Sequence, residues 1–154
     1  MKSQAEAVKE WLLGYRKEEE ELDDLIERIR ELRGRATSIK AQEITDMPKG
    51  PGPDDPMCDY VIRLEALEGS MERRLREHER DRNAIVSLVR KIRREEEKEV
   101  ICCKYLYGMD WSDIRERLYK SQEGYYKKPE TYERRMYRAH ERALEWMGRH
   151  WEKK

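Results

Sequence analysis

Four of the five prolines in the chain fall between Pro48 and Pro56, in the stretch Asp46-Met47-Pro48-Lys49-Gly50-Pro51-Gly52-Pro53-Asp54-Asp55-Pro56. Proline lacks the backbone N–H that a helix interior needs and pushes the residue before it out of the α region, so no helix runs through this window. On either side of it, apolar residues recur every three or four positions, the signature of a helix with one buried stripe. Before it stand Val8, Trp11, Tyr15, then Leu22, Leu25, Ile29, Leu32, Ala36 and Ile39, interrupted only by Glu18. After it stand Met57, Tyr60, Leu64, Leu67, Met71, Leu75 and His78, then a polar gap, then Ile85, Leu88 and Ile92. Each segment has about 40 residues, so each helix would be roughly 60 Å long at 1.5 Å per residue.

A stripe of that length needs a partner. The Pro/Gly turn at 46–56 lets the two helices fold back on each other as an antiparallel hairpin, and pairing with a second chain in a homodimer satisfies the same pattern. Composition favours either over a large spherical core: only 37% of residues are hydrophobic, 44% are charged and there is no Phe. The expectation for residues 1–93 is therefore a long helical hairpin or coiled coil in an all-α protein.

Residues 94–154 have a different character. Three of the four Trp and seven of the nine Tyr lie after residue 100. Residues 1–90 carry 17 basic and 21 acidic groups, whereas residues 91–154 carry 17 basic and 13 acidic ones, so a net charge of zero hides two opposite ends. A short helix is expected from Glu95, Glu96 and Glu97, whose charges suit a helix amino terminus, to a stop at Gly108. Asp110 stands as a capping residue before a second helix marked by Trp111, Ile114 and Leu118. Pro129 fits the first turn of a third, with Tyr132, Met136, Ala139, Ala143 and Trp146 along one face. Its other faces show Glu130, Thr131, Arg134, Arg135, Arg138 and Arg142, with Lys127 and Lys128 just ahead. Two short helices followed by a basic third describe a helix-turn-helix, whose last helix lies in the DNA major groove.

These residues resemble region four of bacterial sigma factors, whose pattern reads roughly E-V-L-x-L-R-Y-x-x-G-L-S-Y-x-E-I-A-x-x-L-G, then T-V-x-x-R-L-x-R-A. Here the matching positions are Glu99-Val100-Ile101, Tyr105, Gly108-Met109-Asp110-Trp111, Asp113-Ile114 and Leu118, then Thr131-Tyr132, Arg135-Met136 and Arg138-Ala139. With the helical first half and the Asp46-Met47-Pro48 turn, the layout also looks like phage-encoded sigma-like regulators of the RinA and ArpU kind. The resemblance implies transcriptional control of phage genes, with duplex DNA as partner and base-facing positions at Glu130, Thr131, Glu133 and Arg134. The chain departs from the family pattern at Arg115, Arg117 and Tyr119, at Glu133 where many members carry Arg or Lys, and by about seven inserted residues between Leu118 and Thr131.

For these residues the DNA-binding set is Lys127, Lys128, Glu130, Thr131, Arg134, Arg135, Arg138 and Arg142, set against the plainer reading of a solvated, internally paired helix face. Arg135, at the edge of the apolar stripe, reads equally as a backbone contact or an internal ion pair. Tyr125 and Tyr126 read more as loop packing than as base stacking. The acidic run Glu18 to Glu21 reads as a solvated face or as a surface for host RNA polymerase. No enzyme is expected, because nucleophile elbow, phosphate loop and His-Glu-x-x-His motifs are missing. No metal or cofactor is expected either, since Cys102, Cys103, His78, His140 and His150 lack ligand spacing. No apolar run is long enough to span a bilayer and the amino terminus has no apolar signal core, so the expected location is the cytoplasm, which the resemblance implies is that of a bacterial host cell. Two rivals stay open: a phage small terminase subunit, and a coiled-coil adaptor that has lost DNA binding.

Overall fold

The computed structural model of the protein describes residues 2–45 and 56–151; of the turn expected at 46–56, residues 46–55 lie outside the described residues. The described chain is all-α. Helix α1 spans Gln4–Thr45, α2 Pro56–Arg90, α3 Glu95–Ile101, α4 Trp111–Tyr119 and α5 Pro129–His150. A π-helical turn over Cys102–Leu106 prolongs α3. The long helices α1 and α2 pack against each other as an antiparallel pair, and three shorter helices follow.

Local chemistry sets the helix ends. A capping box starts α1: the Glu6 N–H donates to Ser3 Oγ at 3.2 Å and the Ser3 N–H donates to Glu6 Oε2 at 3.2 Å, satisfying two donors that a helix start leaves open. Helix α3 begins at Glu95 as its acidic run suggests. Its continuation ends at Gly108, whose φ of +66° is left-handed and costs glycine little. Asp110 holds the extended N-cap position of α4 but makes no side-chain capping bond, and Pro129 occupies the first turn of α5.

The chain divides into two compact units. The first comprises residues 1–17 and 80–154, so the boundary expected at 93/94 falls inside it. One core joins Val8, Leu12 and Tyr15 of α1, Ile85, Leu88 and Val89 of α2, Ile92, Ile101, Tyr105, and Ala143, Leu144 and Met147 of α5. A second core joins Val100, Cys103, Ile114, Tyr119, Tyr125, Met136 and Ala139. Helix α3 and its π turn are the wall between them, turning Ile101 and Tyr105 to one core and Val100 and Cys103 to the other. At the far end of α5, Gly148 lets the helix approach α1 closely, since a Cβ there would lie 2.8 Å from the Gln4 carbonyl carbon.

The second unit, residues 18–79, is a two-helix hairpin. Among its described residues, Leu22, Ile29 and His78 are buried. Ion pairs cross between the helices: Arg74 reaches Glu18 at 2.7 Å and Glu21 at 3.0 Å, and Arg33 pairs with Glu68. Partner numbers rise on one helix as they fall on the other, as antiparallel packing requires. Ile62 and Val61 stay exposed, so two helices alone leave part of the apolar surface in water.

Candidate nucleic-acid interface

Helix α5 is anchored by one face and open on the other. Met136, Ala139, His140, Ala143, Leu144 and Met147 are buried at helical spacing. A helix with one buried stripe must turn the opposite side to solvent, and here that side carries Arg134, Arg138 and Arg142, one turn apart in a single row. Thr131 and Arg149 flank the row, and both are exposed. Glu141 and Glu145 share the face. Even so, among the described residues none of the three row arginines has a carboxylate partner within 4.0 Å. Three guanidinium groups in a row, with no carboxylate paired to them, give this face a positive stripe.

Arg135 has a different environment from its neighbour. Its Nε donates to Glu96 Oε1 at 3.0 Å, a second nitrogen donates to Oε2 at 3.2 Å, and its guanidinium lies 5.4 Å from the Tyr119 ring centre. The hydrogen bonds it donates to Glu96 raise its pKa above the ordinary arginine value. Tyr119 is buried, donates its hydroxyl hydrogen to the same Glu96, and has its ionisation pushed up by burial first and that bond second. Glu96 thereby ties α3, α4 and α5 together. Of the two sequence readings for Arg135, the internal ion pair is the one the geometry contains.

Arg115, Tyr125 and Glu133 meet in space. Arg115 donates from Nε to the Tyr125 hydroxyl at 3.1 Å and lies 3.9 Å from Glu133. Tyr125, from the inserted loop, is 4% exposed in the second core and packs on Tyr132. The Tyr132 hydroxyl in turn donates to the Glu123 carbonyl at 3.1 Å. The loop between α4 and α5 is thus filled by its own tyrosine, with Arg115 as that tyrosine's partner. Glu133, expected from the resemblance to face bases, is half-buried beside Arg115. Lys127, Lys128, Glu130 and Thr131 are exposed at the entry to α5.

Behind the open face, His140 is 6% exposed, and its Nε2 shares a 2.7 Å hydrogen bond with the Tyr105 hydroxyl. The Trp111 ring stands edge-on 4.9 Å away. Burial, assisted by the charges of Lys9 and Lys104, lowers the His140 pKa to about 4, and burial raises that of Tyr105 to about 12. Both are neutral at pH 7 and act as packing that fixes α5 against the π turn.

The division into units sharpens the charge asymmetry. Residues 18–79 carry 10 Lys and Arg against 18 Asp and Glu, a net −8, and the first unit carries the remaining 24 against 16, a net +8. Sequence spacing did not single out Arg149, which extends the row by two turns, nor the roles of Arg115, Glu96 and Tyr119, whose partners lie 10 to 39 residues away in the chain. A groove lined by Ala5, Glu6, Lys9, Glu141, Leu144 and Glu145 encloses about 120 Å³, below the ~300 Å³ at which small-molecule sites begin. Among the described residues, no group of three or more His, Cys, Asp or Glu is placed to hold a metal ion, and no helix is long and apolar enough to cross a membrane. No family model, curated protein or solved structure matches the chain.

Proposed function

We propose that the chain is a non-enzymatic, duplex-DNA-binding transcriptional regulator of phage or prophage origin, working in the bacterial cytoplasm and reading DNA with α5. The observation that carries this reading is the exposed row Arg134, Arg138 and Arg142, without carboxylate partners among the described residues, on a unit of net charge +8. Such a surface gains affinity by releasing the counterions condensed on DNA. The sigma-like residue pattern between Glu99 and Ala139 supports the same reading. The hairpin of residues 18–79, at net −8, repels DNA and suits a basic protein surface, so it serves as the polymerase-facing or dimer-forming arm.

The test begins with enrichment of a duplex from a library with a randomised 30-base-pair core, followed by fluorescence anisotropy on that duplex at several salt concentrations. Five phosphate contacts, from Lys127, Lys128, Arg134, Arg138 and Arg142, give a slope of log K against log salt of about −4.5. Arg134→Ala/Arg138→Ala should lower that slope by about 2 while leaving the melting temperature unchanged. Failure to enrich any duplex would replace the reading with the adaptor, and a ring of many copies in solution would replace it with a DNA-packaging terminase subunit.

A further inference from the structure

Tyr126 is 76% exposed, the most exposed large hydrophobic side chain in the described structure, yet the backbone that carries it is tightly held. The loop from residue 120 to 128 is a series of hydrogen-bonded turns. The Gln122 N–H donates to the Tyr119 carbonyl at 2.9 Å, the Tyr125 N–H to Gln122 at 3.2 Å, and the N–H groups of Lys127 and Lys128 both to Gly124 at 3.1 Å. Gly124 takes a φ of +83°, which lets the chain reverse. Next to Tyr126, Tyr125 is sunk in the core under Arg115, and the two rings meet edge to face at 5.2 Å. Lys127 and Lys128 follow, exposed, and lead into the first turn of α5.

Beyond its edge contact with Tyr125, an aromatic ring held three-quarters in water on an ordered turn gains little for folding and is free to meet a partner. Two adjacent ammonium groups select an anionic partner, and a planar ring between them and the core selects one that also offers flat or apolar faces. Nucleic acid meets both conditions, with phosphates for the lysines and sugar or base faces for the ring. The position agrees, because this turn is continuous with the end of α5 that carries Thr131 and Arg134.

We infer that the inserted loop is a second DNA-contacting arm, in which Tyr126 packs on a sugar or an unstacked base step and Lys127 and Lys128 bind the flanking phosphates. The inference rests on the DNA-binding reading of α5 and adds to it a preformed contact outside the helix. Tyr125 is the positioning residue: it holds the turn, and Tyr126 makes the contact. Because the turn is already ordered, little conformational entropy is lost when it binds.

The experiment uses the full chain and the duplex enriched by the wild type. Tyr126→Ala should weaken binding about tenfold, the loss that removal of one stacking aromatic produces. Tyr126→Phe should stay within about twofold, because the ring face rather than the hydroxyl makes the contact. Lys127→Ala/Lys128→Ala should lower the salt slope by about 2. Thermal melting of the Tyr126 variants should match the wild type, since the side chain lies outside both cores. If the wild type binds and Tyr126→Ala binds equally well, the loop arm is refuted while the role of α5 stands. If the wild type enriches no duplex, the DNA-binding reading falls and the arm with it.

Discussion

Replacing His140 by Gln should remove a defined part of the pH dependence of stability. In the folded protein the His140 pKa is about 4 against an ordinary 6.5, because burial penalises the charged ring. The unfolded chain therefore binds this proton first as pH falls. The contribution is fully present above pH 6.5, declines as the pH drops, and is exhausted near pH 4. The full difference amounts to roughly 3 kcal/mol at 1.36 kcal/mol per pKa unit, of which about 2 kcal/mol is lost between pH 7 and pH 5. Gln does not titrate and can replace the imidazole as hydrogen-bond partner of the Tyr105 hydroxyl, now 2.7 Å from Nε2. Urea unfolding at pH 7, 6 and 5 measures both proteins, and carboxylates common to both cancel in the comparison. The wild type should lose about 2 kcal/mol more than His140→Gln across that interval. Parallel pH profiles would show that the ring is not buried in its neutral form and would refute the packing described for α5.

Four further predictions concern the first unit. Gly148→Ala should destabilise by about 1–3 kcal/mol in thermal melting despite the better helix propensity of Ala, because the new Cβ would meet the α1 backbone, 2.8 Å from the Gln4 carbonyl carbon and 2.9 Å from the Ala5 nitrogen. Gly108→Ala should cost about 1–2 kcal/mol in the same assay, since φ is +66° there and the Arg16 guanidinium must also move. A double-mutant cycle on Glu96 and Arg135 should give a coupling of only about 0.5–1 kcal/mol, as the arginine side chain is 52% exposed and solvent screens the pair. Arg134→Ala should leave stability unchanged and weaken DNA binding, the reverse of what Arg135→Ala does.

Local signals carried much of the fold. The charges at Glu95, the left-handed glycine at 108, the N-cap position of Asp110 and the proline at 129 each act within one helical turn, and each marks the helix end where the structure has it. The long stripes were legible as helices, but periodicity says that a face is buried and not against what. Val8, Leu12 and Tyr15 meet Ile101, Tyr105 and Met147 across most of the chain's length. Glu18, the only break in the first stripe, is also the first residue of the acidic unit, and the polar gap after His78 contains the matching boundary at Glu79. At the candidate interface, the exposed arginine row followed from spacing alone. The capture of Arg135 by Glu96, and of Tyr125 by Arg115, did not, because a hydrogen bond between residues 39 apart, or between a helix and an inserted loop, leaves no periodic trace.

At 18.8 kDa the protein suits amide chemical-shift mapping, which locates a DNA contact residue by residue. Titration of the labelled chain with its enriched duplex should shift amides from 126 to 142, with smaller effects near Arg149 at the end of the row. Residues 18–37 and 57–79 of the acidic hairpin should stay unmoved. Shifts concentrated in that hairpin, or binding that leaves the amides around Arg134 and Arg138 in place, would contradict the assignment of α5 as the DNA-reading helix.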